Sequence, residues 1–181
     1  MSQIENLQEK AFVSSLLFES VGKASAMIDT FSNWLLGGFA ASIAFLIGNF
    51  STISGKVPNS SLKCIIYLFL AVLVVGVIQK YLATIVMSAS AGAAVGRELG
   101  TKYAENGVEL DVDVVFAESA SAILPPIRYF VRNSFKKASA GNITAAARSF
   151  TIIAQVQGLL TLLQAAIIFY AVALIANHLA F

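Results

Sequence analysis

The sequence predicts an all-α polytopic membrane protein. It has three transmembrane helices, an N-terminal amphipathic helix, and cytoplasmic extensions of helices two and three that form a bundle. Three observations predict this. Of 181 residues, 57% are hydrophobic and only 12% are charged, and the mean hydropathy is +0.78, whereas soluble domains carry about 25% charged residues. Three uncharged apolar runs approach or exceed the roughly 20 residues that a helix needs to cross lipid. None of these runs alternates with a period of two, which argues against a barrel, and an open sheet would leave edge amides that lipid cannot satisfy. The composition also excludes a disordered chain, and a single cysteine, Cys64, excludes a disulfide scaffold.

The elements follow in order. Residues 1–30 read as an N-terminal amphipathic cytoplasmic helix, because Leu7, Ala11, Phe18, Val21 and Ile28 recur on one face. The mixed charges Glu5, Glu9 and Lys10 argue against a cleavable signal peptide. Residues 31–50 form the first span, entered past Asp29, a boundary or cap residue, with Trp34 suited to the interface. An external loop over 51–61 carries the Pro58, Asn59, Ser60 turn. The second span, 62–80, is uncharged from Cys64 to Gln79, and Lys80 at its boundary reads as a snorkelling lysine or a pore-mouth charge.

The helical pattern then continues over 81–104 as a cytoplasmic extension and stops near Asn106 and Gly107. Residues 105–149 form a cytoplasmic helical segment broken at Leu124, Pro125 and Pro126. Residues 150–181 begin in the cytoplasm and become the third span, which ends without any basic residue except His178. Placing the N-terminus in the cytoplasm and the C-terminus outside puts ten Lys and Arg inside and two outside, as the positive-inside rule prefers. The Trp34 to Asn49 run resembles spans of small bacterial inner-membrane proteins, which implies that localisation.

Three sets of side chains stand out. Gln157, Thr161 and Gln164 share one face of the third helix. Polar groups in lipid must face a partner or water, so this stripe either lines a pore or bonds helices together. Gly37, Ala41, Ala44 and Gly48 share one face of the first span, and Ser88, Gly92 and Gly96 repeat every fourth residue on the second helix. Such ladders let helix backbones approach within or between subunits, and three spans bury little surface alone, so a homo-oligomer is expected. Arg128, Arg132 and Lys136, joined by Lys137, lie opposite the apolar Ile127, Phe130, Val131 and Phe135. A basic amphipathic helix of this kind suits anionic lipid at the cytoplasmic face, or a cytoplasmic protein partner, unless its apolar side packs on the bundle.

The inventory of reactive groups points away from enzymes. One His and one Cys offer no zinc cluster. Gly92 to Lys102 lacks the phosphate-loop spacing, and Asp111 with Asp113 lacks the rest of a calcium loop. No catalytic residue, metal, cofactor or direct nucleic-acid contact is expected. Two functions remain: a homo-oligomeric channel-like protein, or a membrane anchor or sensor subunit that recruits a cytoplasmic partner, as in a prokaryotic defence or signalling complex.

Overall fold

The protein is described from a computed structural model over residues 3–53, 57–107, 111–121 and 127–179. Among these residues all regular structure is helical. Six helices follow in order: α1 (Gln3–Gly48), α2 (Phe50–Ile53), α3 (Asn59–Glu105), α4 (Val112–Ser121), α5 (Ile127–Ser139) and α6 (Ala145–Leu179). Three of them, α1, α3 and α6, are long and apolar enough to cross a membrane. The 46 residues of α1 measure about 69 Å at 1.5 Å per residue.

α1 joins two segments that the sequence reading separates at residue 30. No break falls there, because residues 24–36 contain neither Gly nor Pro and Asp29 sits within the helix rather than capping it. α3 likewise runs without interruption through residue 80. It ends where the sequence predicts: Gly107 adopts φ +67° and its N–H donates to the carbonyl of Ala104, a left-handed stop that Gly enters without a Cβ penalty. The proline break at Leu124, Pro125 and Pro126 lies outside the described residues.

The chain divides into two compact units. Unit 1 takes residues 1–24 and 85–154, and unit 2 takes residues 25–84 and 155–181. In unit 1, α4 starts on Asp111, whose Oδ1 accepts the Val114 N–H at 3.2 Å, the usual N-cap bond. α4 packs on α5, and the Arg128 guanidinium donates to the Ser121 carbonyl at 2.6 Å. α5 then closes with paired bonds from Asn142 N–H to the Lys137 carbonyl and from Gly141 N–H to the Ala138 carbonyl. This is a Schellman stop, and Gly141 at φ +88° permits it. Thr144 begins α6 by offering its carbonyl to the Arg148 N–H at 3.0 Å.

That turn delivers Phe150 and Ala154 into a core with Val21, Val86 and Val131. The Phe18 and Phe150 rings meet at a 45° tilt with their centroids 5.7 Å apart. Val131 and Phe135 of α5 face this core, so these two apolar residues of the basic helix pack on their own unit; the side chains of Ile127 and Phe130 lie outside the described residues.

Unit 2 has its own apolar cluster of Phe39, Ile43, Ile65, Val72 and Ala171. The Phe39 and Phe69 rings meet edge to face at 5.6 Å. Unit 2 holds only four formally charged residues, Asp29, Lys56, Lys63 and Lys80.

Close helix approach in unit 1 centres on Gly22, where a Cβ would overlap the Ser90 hydroxyl and lie 2.6 Å from Ser90 Cβ. A Cβ at Gly92 meets nothing within 4 Å. The two glycines therefore differ in sign. Gly22→Ala is expected to cost about 1–3 kcal/mol through overpacking, while Gly92→Ala gains up to about 1 kcal/mol of helix propensity. Unfolding of the detergent-solubilised monomer, followed by circular dichroism, measures both.

Candidate functional site

The buried surface of unit 2 follows steps of seven. On α1, Ser25, Ser32 and Phe39 are buried; on α3, Ile65, Val72 and Gln79; on α6, Gln157, Gln164 and Ala171. None of these nine side chains is more than 3% exposed. A seven-residue repeat is the seam of a left-handed coiled coil, which keeps the same residues facing inward along the whole contact. Repeats of seven on three helices stack the positions in layers about 10.5 Å apart.

The layers can be read from their hydrogen bonds. In the middle layer, Ser32 Oγ donates to Gln164 Oε1 at 2.8 Å, and Gln164 Nε2 donates to the Val72 carbonyl at 3.4 Å. One heptad away, Ser25 Oγ donates to Gln157 Oε1 at 2.7 Å, and Gln157 Nε2 donates back to the Ser25 carbonyl at 3.0 Å. The residue offset between α1 and α6 is 132 in both pairs, so the two helices run parallel. α3 runs antiparallel to them, and its Gln79 falls in the Ser25–Gln157 layer. The third layer, with Phe39, Ile65 and Ala171, is apolar.

Thr161 completes the stripe from within α6. It is 3% exposed, and its hydroxyl donates to the Gln157 carbonyl at 3.1 Å. Gln157, Thr161 and Gln164 thus share one face, and that face is covered by α1 and α3 of the same chain.

Gly76 makes the middle layer possible. A Cβ there would lie 2.8 Å from Gln164 Nε2 and 2.9 Å from Leu36 Cδ1. Beside the seam, Lys80 Nζ pairs with Asp29 Oδ1 at 3.2 Å, and Asp29 Oδ2 accepts from Asn33 at 3.4 Å. Lys80 therefore has a specific partner within the bundle. The two side chains are 45% and 24% exposed, so the pair fixes register more than it adds stability.

The small-residue ladders occupy the opposite kind of surface. Gly37, Ala41, Ala44 and Gly48 are exposed, as are Ser88, Gly92 and Gly96. A Cβ on Gly37, Gly48, Gly92 or Gly96 meets nothing within 4 Å. Among the described residues these ladders meet no other helix closely, whereas Gly22 and Gly76 do. Signals for the missed residues were present: serines seven apart on α1, and a glutamine on α3 amid uncharged residues.

In unit 1 the basic residues Arg132, Lys136 and Lys137 are exposed and Arg128 is half-buried. A shallow cleft of about 370 Å³ is lined by Glu19, Ser90, Ala94, Arg97, Glu98 and Thr101. Lys23 hydrogen-bonds Glu19 and adds its charge, and Arg97 pulls more weakly; together they hold that carboxyl below its ordinary range. Glu98 is paired with Lys102 at 2.7 Å. Among the described residues no group of three or more His, Cys, Asp or Glu side chains is placed to hold a metal ion.

No family model, no curated protein and no solved structure matches the chain.

The Ser–Gln pairs make a sharp thermodynamic test. Ser32→Ala and Gln164→Leu should show a coupling of about 0.6–2 kcal/mol in a double-mutant cycle, the range for hydrogen bonds between membrane helices. Ser25→Ala with Gln164→Leu should be additive within about 0.5 kcal/mol, since the two belong to different layers. Reversible unfolding in mixed micelles supplies the four free energies of each cycle.

Proposed function

We propose that the protein is a non-enzymatic, homo-oligomeric integral membrane protein that anchors a cytoplasmic partner at a bacterial inner membrane. Unit 2 is the membrane part, and unit 1 presents the recruiting surface. The N-terminus is cytoplasmic and the C-terminus external, on the Lys and Arg asymmetry.

The observation that carries this reading is the pairing of Gln157 and Gln164 with Ser25 and Ser32 of their own chain. The amides that would line a conducting pore are bonded within the chain, to Ser25 and Ser32 of α1 and, for Gln164, also to the Val72 carbonyl of α3. That supports the stripe as internal adhesion and removes the chief reason for a channel. The outward ladders of Gly37 to Gly48 and of Ser88 to Gly96 support self-association, because bare helix faces let neighbouring protomers approach closely.

The recruiting surface is the charged side of α5. Val131 and Phe135 pack in the unit 1 core, which takes these two side chains away from lipid, while Tyr129 is exposed. What it displays is Arg132, Lys136 and Lys137. This favours an acidic protein partner; anionic lipid headgroups offer the same complementary charge. A channel-like oligomer is the second reading. It places its wall on the same three α6 residues and requires the Ser–Gln pairs to open first.

Two measurements separate these readings. Liposomes containing the purified oligomer are expected to pass no ions, with or without Gln164→Leu; flux that disappears in Gln164→Leu supports the channel instead. In native membranes, Arg132→Glu, Lys136→Glu and Lys137→Glu together should release the co-purifying partner while the protein stays oligomeric. If the triple reversal leaves the same proteins bound, the basic face is not the recruiting surface.

A further inference from the structure

Gln79 is completely buried, and neither its Nε2 nor its Oε1 has a hydrogen-bond partner among the described residues. The other two buried glutamines of unit 2 are both bonded to α1. An amide left unpaired away from water is costly, and buried polar side chains are almost always satisfied by protein or by an ordered water.

The heptad register says what lies beside it. Val72 meets Gln164 in the middle layer, so Gln79, seven residues further along antiparallel α3, falls level with Gln157 and Ser25. The polar atoms of that layer keep unused capacity. Gln157 Oε1 accepts one bond, from Ser25 Oγ, and a carbonyl oxygen can accept two. Thr161 Oγ1, one turn away, donates to the Gln157 carbonyl and keeps its acceptor sites. Next to Gln157, Gly158 carries no side chain, and the nearest atom to a Cβ built there is Ile28 Cδ1 at 3.7 Å.

A guest that satisfies Gln79 must both donate and accept, must be small, and must carry no net charge. Water meets all three conditions, and buried waters make about three such bonds. We propose that Gln79 holds a buried water molecule in the Ser25–Gln157 layer, bridging its amide to the Gln157 and Thr161 oxygens. Access is from the side of Lys80 and Asp29, whose partly exposed ion pair adjoins the layer. The apolar layer of Phe39, Ile65 and Ala171 closes the other direction. The site is independent of the anchor reading, since it rests on unit 2 alone and needs no partner.

Nuclear magnetic resonance of the full ¹⁵N-labelled chain in lipid nanodiscs tests it. The Gln79 side-chain amide is assigned by its loss in Gln79→Leu, or in Gln79→Met where the first variant does not fold. The expected result is a cross-peak from this amide to the water frequency, with the sign of a long-lived bound molecule. The peak should persist in Ser25→Ala, because Ser25 Oγ is not one of the oxygens that hold the water. An amide with no water cross-peak overturns the proposal. So does a peak that vanishes in Ser25→Ala, because it would report exchange relayed through the Ser25 hydroxyl.

Discussion

A side-chain amide buried inside a helix bundle has no bulk water to fall back on, so its hydrogen bonds must come from neighbouring helices. Gln157 and Gln164 impose this demand on α6, and much of unit 2 follows from it. Each needs an oxygen or hydroxyl in reach, which places Ser25 and Ser32 opposite them on α1. Both serines must then be seven residues apart, and α1 must run parallel to α6. Gln164 also reaches the Val72 carbonyl, which brings α3 close enough that position 76 has no room for a Cβ. Apolar contacts alone would tolerate a sliding register, because lipid tails compete for every leucine face. The amides do not tolerate it.

The sequence shows the membrane character, the helical class and the Gln157, Thr161, Gln164 face, because each depends on composition or on spacing within one helix. The stop at Gly107 is legible for the same reason. The partners are not. Ser25 and Ser32 are ordinary small polar residues, and only a neighbouring helix gives them a role. Gln79 sits in an uncharged run and reads as an interruption of it. Asp29 looks like a cap because a charge precedes an apolar run, yet the chain there has no helix breaker and Lys80 neutralises the charge from α3. The N-terminal face read at 3.6 residues per turn includes Ala11, which is exposed. Packed helices of unit 2 instead use seven-residue steps, and that period becomes visible only when three helices are compared.

Polar and small residues divide the surface between them. The polar positions face inward and fix how one chain folds. The glycine and alanine ladders face outward, where an absent side chain leaves backbone bare. Had the ladders served contacts within the protomer, glycine at those positions would have been demanded by close neighbours, as at Gly22 and Gly76. Their freedom from such neighbours assigns any close-packing role to surfaces that meet something else, which in a bilayer means another helix or lipid. The same logic applies to α5, where the core takes Val131 and Phe135 and leaves the charges outside.

The three layers also differ along the seam in a way that bears on conduction. Two polar layers lie toward the end marked by the Asp29–Lys80 pair, and the third is filled by Phe39, Ile65 and Ala171. A water-filled path down the middle of one protomer would have to cross that apolar layer, where the Phe39 and Phe69 rings are in contact and no polar group replaces a hydration shell. The seam is therefore polar at one end and apolar at the other. A conducting route would have to run between protomers, along faces that carry glycine and alanine instead of amides. The polar residues of the seam are bonded within the protomer, which is the pattern of hydrogen bonds that hold helices to one another.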